Sequence, residues 1–82
     1  MDVANRIREF VRQELLFEDH NTPLSNDTPL LNGIMDSLGL MQLVAFLEEE
    51  FDIEMEDAEI TADHFRTVSA IEELVRQKVN GG

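Results

Sequence analysis

Apolar residues recur at helical intervals in three stretches of this chain. Val3, Ile7, Phe10, Val11 and Leu15 return every three or four residues, with Arg6, Arg8, Arg12 and Gln13 on the other faces. That spacing predicts a helix running from an Asp2 cap to about Leu16. Leu38, Met41, Val44 (or Ala45) and Leu47 or Glu48 trace one face of a second helix, and Leu40, Leu43, Phe46 and Leu47 widen it. It opens at Asp36 or Ser37, where the Asp36 carboxylate can accept from free backbone N–H groups, and ends near Glu50 or Phe51. Val68, Ile71, Leu74, Val75 and Val79 give a last helix, started after Arg66 by Thr67 or Ser69. Ser69-Ala70-Ile71-Glu72 fits a capping box, and Arg76 and Lys78 suit the negative end of that helix.

The stretches between are of two kinds. Phe17 to Met35 carries Pro23, Pro29, Gly33 and several Asn, Asp, Ser and Thr residues, which form turns. It also carries Leu24, Leu30, Leu31 and Ile34, so the predicted long loop packs down on the core. A long ordered loop in a small protein is itself a pointer to function. Phe51 to Glu56 alternates apolar and acidic residues, but with no second strand to pair with it reads as an extended connection. Thr61 to Phe65 reads as one short helical turn capped by Thr61, and Asn80-Gly81-Gly82 as a helix stop and flexible tip. The expected architecture is all-α: three main helices, one short helix and a long loop between the first two.

Eighty-two residues with 43% apolar content suffice for one small core, so residues 1–82 are expected to form a single domain. No apolar run approaches the roughly 20 residues that span a bilayer, and no secretory signal pattern is present. A cytoplasmic monomer with no membrane partner is the expectation. There is no cysteine, hence no disulfide, thiolate metal site or thiol nucleophile in the polypeptide.

Charge changes the picture more. The formal net charge is −12, and no Lys or Arg lies between Gln13 and Phe65. All six basic residues (Arg6, Arg8, Arg12, Arg66, Arg76 and Lys78) fall outside that span. Nucleic acid is excluded as a partner for such a surface, and basic protein surfaces are drawn to it. The acids from Asp52 to Asp63 do not make a calcium loop. Asp57 stands where that loop needs glycine, and Asp63 where it needs glutamate.

The chemistry concentrates in Gly33-Ile34-Met35-Asp36-Ser37-Leu38. Ser37 falls on the first turn of the second helix, where the dipole favours an anion. A serine nucleophile needs a base beside it, and the only histidines are His20 and His64. Ser37 therefore reads as a residue that receives a group, in a protein that is not itself an enzyme.

These residues resemble the acyl carrier protein and peptidyl carrier protein family over nearly the whole chain, in helix order and loop length. The resemblance is carried by Asp36-Ser37-Leu38 after Gly33, by Leu43, Leu47-Glu48-Glu49-Glu50-Phe51 and Ile53, and by Ile60-Thr61-Ala62-Asp63-His64-Phe65 with Thr67-Val68. It implies a four-helix carrier bundle with covalent 4′-phosphopantetheine on Ser37. The group would be transferred from coenzyme A by a phosphopantetheinyl transferase with Mg²⁺, and its thiol would hold acyl or aminoacyl groups as thioesters. Asp36 would cap the helix and help bind the transferase's metal, and Leu38 would meet the transferase and later partners. Met41, Gln42 and Ala45, with Glu48 and Glu49, would form the helix surface that partner enzymes with basic docking surfaces read. The chain itself is expected to hold no metal.

Two positions depart from the pattern. Fatty-acid carriers commonly place an acid directly after Asp-Ser-Leu and another three residues on; here these are Gly39 and Gln42. The departure implies a specialised carrier rather than one for bulk fatty-acid synthesis, loaded by a dedicated acyl- or aminoacyl-adenylating ligase. The competing reading is an acidic helical interaction domain without a prosthetic group.

Overall fold

The computed structural model describes residues 2–16, 24–31 and 33–81. Residues 17–23 of the predicted Phe17–Met35 loop, with His20, lie outside the described residues, as do Asn32 and the Gly82 tip. Among the described residues the secondary structure is helical throughout, with no strand.

Helix α1 spans Val3–Phe10 and is capped as expected, the Asn5 N–H donating to Asp2 Oδ1 at 3.0 Å. Val3, Ala4 and Ile7 turn inward. The helix does not continue unchanged to Leu16: Val11–Leu15 is a π-helical turn, closed by the Leu16 N–H on the Val11 carbonyl at 2.9 Å. One extra residue per turn rotates the chain so that Val11 and Leu16 are buried and Leu15 packs at the core edge.

Helix α2 spans Ser37–Phe51 with Asp36 as its N-cap. The expected apolar face needs correction. Gly39, Leu43, Val44 and Leu47 form the buried seam, whereas Leu38 and Met41 are 68% and 54% exposed. This helix has more apolar residues than one face can bury, and packing against α1 and α4 selects the Leu43–Leu47 side. Asp52 takes the left-handed conformation at φ 55°, and the Ile53 N–H returns to the Glu48 carbonyl at 3.2 Å, a Schellman-type stop.

The chain then runs extended, Ile53 and Met55 half-buried between exposed acids, into a single 3₁₀ turn at Asp57–Glu59. That turn has a reciprocal capping box between Glu56 and Glu59, which the acidic run concealed. Helix α3, Ala62–Phe65, carries its Thr61 cap as predicted. Helix α4 spans Val68–Gly81, so the expected stop at Asn80 falls one residue late. Its cap is Thr67, whose Oγ1 accepts from the Ala70 N–H at 3.1 Å; the Ser69 box does not form. The Ser69 N–H donates instead to the Asn26 carbonyl at 2.9 Å. Val79, expected on the buried face, is 55% exposed at the far end of the helix.

The core gathers Ile7, Val11, Leu30, Leu43, Leu47, Phe65, Val68, Ile71 and Val75, all without exposed surface. α1 and α3 both pack chiefly on α4. Of the aromatics, Phe65 is fully buried, while Phe10, Phe46 and Phe51 are half-buried at the α1–α2 edge. Phe10 and Phe46 stack there at 4.5 Å, with Phe51 edge-on to Phe46 at 6.3 Å. Arg6 Nε donates to Glu50 Oε2 at 2.8 Å on the same seam.

The described part of the loop is held down as its leucines predict. Leu30 is fully buried, its N–H donates to the Arg66 carbonyl at 2.8 Å, and its own carbonyl accepts from Met35 at 2.9 Å. Arg8 donates from its guanidinium to Asn26 Oδ1, so Asn26 joins α1 and, through its carbonyl, the start of α4. The loop thus delivers the chain to α2 at a fixed point.

Candidate functional site

The first turn of α2 is built from both sides. Met35 is buried, and Gly33 before it turns the chain at φ 107°, a conformation that glycine adopts without strain. Asp36 follows with extended backbone, φ −95° and ψ −170°. Its Oδ1 accepts from the Gly39 N–H at 2.8 Å and its carbonyl from the Leu40 N–H at 2.8 Å. Ser37 is the first helical residue and is exposed, with exposed Asp36 and Leu38 on either side.

Gly39 is buried beneath them. A Cβ there would lie 3.2 Å from Leu15 Cδ2 and 3.3 Å from Met35 Cγ, so its missing side chain lets the π-turn of α1 close on the start of α2. In sequence Gly39 stands out only as a missing acid; the Leu15-Leu16 pair is the available sign of a close contact.

The predicted recognition residues share one face. Met41, Gln42, Ala45 and Glu49 are exposed at helical spacing from Ser37 and Leu38. Glu48 differs: it is half-buried, and its Oε2 accepts from the Met55 N–H at 2.9 Å. Its carboxylate holds the extended connection against α2.

His64 is engaged elsewhere. Its Nδ1 lies 2.8 Å from the Glu59 carbonyl and 3.3 Å from Thr61 Oγ1. Among the described residues no group of three His, Cys, Asp or Glu side chains is arranged to hold a metal. Glu59 has a displaced ionisation. The Glu56 N–H and then Lys78 Nζ, 2.7 Å away, hold its carboxyl below the usual carboxylate range.

Ser37 thus presents an exposed hydroxyl on a capped helix start, at the end of a pinned loop. The sequence profile described as "Phosphopantetheine attachment site" matches residues 5–75. The chain belongs to this family of acyl and peptidyl carrier proteins. The family's prosthetic group is covalent 4′-phosphopantetheine.

The carrier is 28% identical over 82 residues to Aminoacyl carrier protein 2 of Bradyrhizobium diazoefficiens, covering all of this chain and 92% of that protein. It is 31% identical over 80 residues to the D-alanyl carrier protein of Streptococcus sanguinis, covering 98% and 99%. Among solved structures, a chain from "Crystal structure of FAD-dependent dehydrogenase" superposes with a TM-score of 0.76 at 33% identity, covering 84% of this carrier and 97% of that chain. No helix among the described residues is long and apolar enough to cross a membrane.

Proposed function

We propose that the carrier takes 4′-phosphopantetheine on Ser37 and uses it to present aminoacyl groups to partner enzymes. The observation that carries this reading is the exposed Ser37 at the Asp36-capped start of α2, in a chain of this family. In the loading step the Ser37 oxygen forms a P–O bond to the phosphopantetheine phosphorus of coenzyme A. The bond to the 3′,5′-ADP half breaks, and the hydroxyl proton leaves to solvent. Ser37, as the first residue of α2, would hold the phosphodiester where the helix dipole favours an anion. The bound group supplies the thiol that this cysteine-free chain lacks, and that thiol holds the cargo as a thioester.

Asp36 caps the first turn and, in a complex with the transferase, would lend its carboxylate to that enzyme's metal. Leu38, Met41, Gln42, Ala45 and Glu49 are the surface that the transferase, an adenylating ligase and later acyl-processing enzymes read. Glu48 supports that surface through its hold on Met55. An aminoacyl cargo is favoured by the names of the relatives and by the neutral Gly39 and Gln42. The chain performs no catalysis of its own; it works in the cytoplasm, in a specialised pathway.

The test is intact mass after incubation with coenzyme A, Mg²⁺ and a broad-specificity phosphopantetheinyl transferase, beside Ser37→Ala. A gain of one phosphopantetheine in the first and none in the second supports the reading. A folded, initially unmodified sample that gains nothing overturns it in favour of an interaction domain without a prosthetic group. Loading of the modified carrier by an aminoacyl-adenylating ligase then tests the cargo class.

A further inference from the structure

Leu38 and Met41 stand out in solvent beside Ser37, and Met41 carries a sulfur that mild oxidants attack. Met41 is 54% exposed, whereas Met35 is 3% exposed and Met55 is half-buried. We propose that the Met41 thioether is a reversible oxidation site, and that its sulfoxide switches off docking at the face around Ser37. The proposal rests on the reading of Ser37 as the attachment point and of this face as the docking surface.

Accessibility selects the sulfur. A dissolved oxidant must reach the thioether from solvent, and of Met35, Met41 and Met55 only Met41 lies open. Met35 is packed beneath the first turn of α2, its Cγ 3.3 Å from where a Cβ on Gly39 would stand. The polypeptide has no cysteine, so before an arm is attached no thiol of the chain competes for oxidant. Once the arm holds cargo, its thiol is closed in the thioester and Met41 is again the open sulfur. The oxidant class is a neutral peroxide, because a net charge of −12 repels anionic oxidants and leaves an uncharged one free to approach.

In the step, the Met41 sulfur attacks one oxygen of hydrogen peroxide. The O–O bond breaks, an S–O bond forms, and the second oxygen leaves as water. Sulfur gives up two electrons and the peroxide takes them. A methionine sulfoxide reductase reverses the change, removing the oxygen as water while two thiols close to a disulfide.

Position decides what the change does. Met41 follows Ser37 by four residues and Leu38 by three, so their Cβ atoms are neighbours on one helix face, roughly 5–6 Å apart. Leu38 and Met41 together offer apolar surface, and an unbranched thioether adapts to differently shaped partners. Its sulfoxide oxygen is a polar acceptor. A partner that covers Met41 with apolar atoms strips water from that oxygen and returns no hydrogen bond, which weakens the complex. Met41 lies outside the buried core, so the fold itself loses nothing.

The experiment treats the full, unmodified chain with hydrogen peroxide, removes the peroxide with catalase, and then adds coenzyme A, Mg²⁺ and phosphopantetheinyl transferase. Tandem mass spectrometry places each added oxygen, intact mass follows the loading rate, and circular dichroism gives Tm. Expected are oxidation of Met41 before Met35 and Met55, a loss of about tenfold in loading rate, and an unchanged Tm. Methionine sulfoxide reductase should restore the rate. Met41→Leu, compared with its own untreated sample, should load at the same rate with and without peroxide. Oxygen on Met35 or Met55 ahead of Met41 overturns the proposal. So does an oxidised carrier that loads at the untreated rate, a slowed one whose Tm has fallen, or a Met41→Leu carrier that peroxide slows equally. A chain that takes no group before any peroxide is added defeats the assignment at Ser37 itself, and the switch falls with it. Normal loading that Met41 oxidation leaves unchanged defeats the switch alone.

Discussion

Replacing Asp36 separates its structural work from its work in loading. Asp36→Ala removes the oxygen that accepts from the Gly39 N–H at 2.8 Å, and that donor sits at a buried residue. Loss of a helix cap costs about 0.5–2 kcal/mol, and a donor left partly buried without a partner moves the expectation to the upper half of that range. In a protein of this size each 1 kcal/mol lowers Tm by about 4–8 °C. Asp36→Asn keeps an acceptor oxygen and removes only the charge that interacts with the helix dipole, so its cost is about 0.3–1 kcal/mol. Thermal and urea unfolding followed by circular dichroism read both values. If Ala is as stable as the parent, or Asn costs as much as Ala, the capping argument is wrong. Loading gives the second axis. A carboxylate that helps hold the transferase's metal predicts a loss of about tenfold in the loading rate of Asp36→Asn, equivalent to about 1.4 kcal/mol. Loading of Asn at the parent rate removes the metal role and leaves the cap untouched. Once loaded, the phosphodiester brings a second anion to the same helix end. Like charges 4 Å apart in water repel by about 1 kcal/mol, so Asp36→Asn costs less in the modified carrier than in the unmodified one.

Leu30→Ala empties a fully buried site and is expected to cost about 2–5 kcal/mol, with faster amide exchange at Met35, whose N–H bonds the Leu30 carbonyl. Gly33→Ala meets no neighbouring atom but must hold φ 107°, so denaturant unfolding should show a loss of about 1 kcal/mol or more from the backbone alone. Glu59 has a depressed carboxyl pKa, so its contribution is present above the ordinary glutamate value of about 4.3 and is lost as pH falls through the depressed one. Lys78→Met removes one cause and keeps the Glu56 N–H, so NMR titration should find Glu59 raised part of the way back and the acid limb of stability shallower.

Much of this architecture was legible because its signals are local. Asp2, Asp36, Thr61 and Thr67 announce helix starts through short-range hydrogen bonds, and all four caps form. The buried loop leucine was legible because Leu30 is apolar in a stretch otherwise built of turn formers. The inward face of α2 was not, since periodicity cannot choose among Leu38, Leu40, Met41, Leu43, Phe46 and Leu47; packing against α1 and α4 makes that choice. The π-turn and the contact at Gly39 depend on two segments meeting in space, and only the Leu15-Leu16 doublet hinted at it. Ser69 shows the reverse error. Its box is locally plausible, but its N–H is taken by Asn26 from the loop. Ser37, Met41, Gln42, Ala45 and Glu49 were readable as one surface because all lie on a single well-formed helix.

The proposed docking face combines two forces that act on different rates. Leu38 and Met41 present apolar surface beside Ser37, while Glu49 and the acids beyond the end of α2 supply negative potential. Burial of a whole leucine is worth about 1.5–3 kcal/mol, and Leu38 is 68% exposed, so a partner that covers it gains about 1–2 kcal/mol. Leu38→Ala should therefore weaken binding to the transferase or ligase by about 5- to 30-fold, mostly through faster dissociation, with little change in carrier stability. Glu49→Lys should act on association instead. Its side chain is solvent-exposed, and long-range attraction to a basic partner is screened beyond about 8 Å at physiological salt. Surface plasmon resonance across a salt series distinguishes the two. The expected pattern is a salt-sensitive association rate that Glu49→Lys lowers, and a salt-insensitive dissociation rate that Leu38→Ala raises. Equal salt sensitivity in both rates would mean that the acids stay in direct contact in the complex. A Leu38→Ala carrier that dissociates no faster than the parent would place the apolar pair outside the interface.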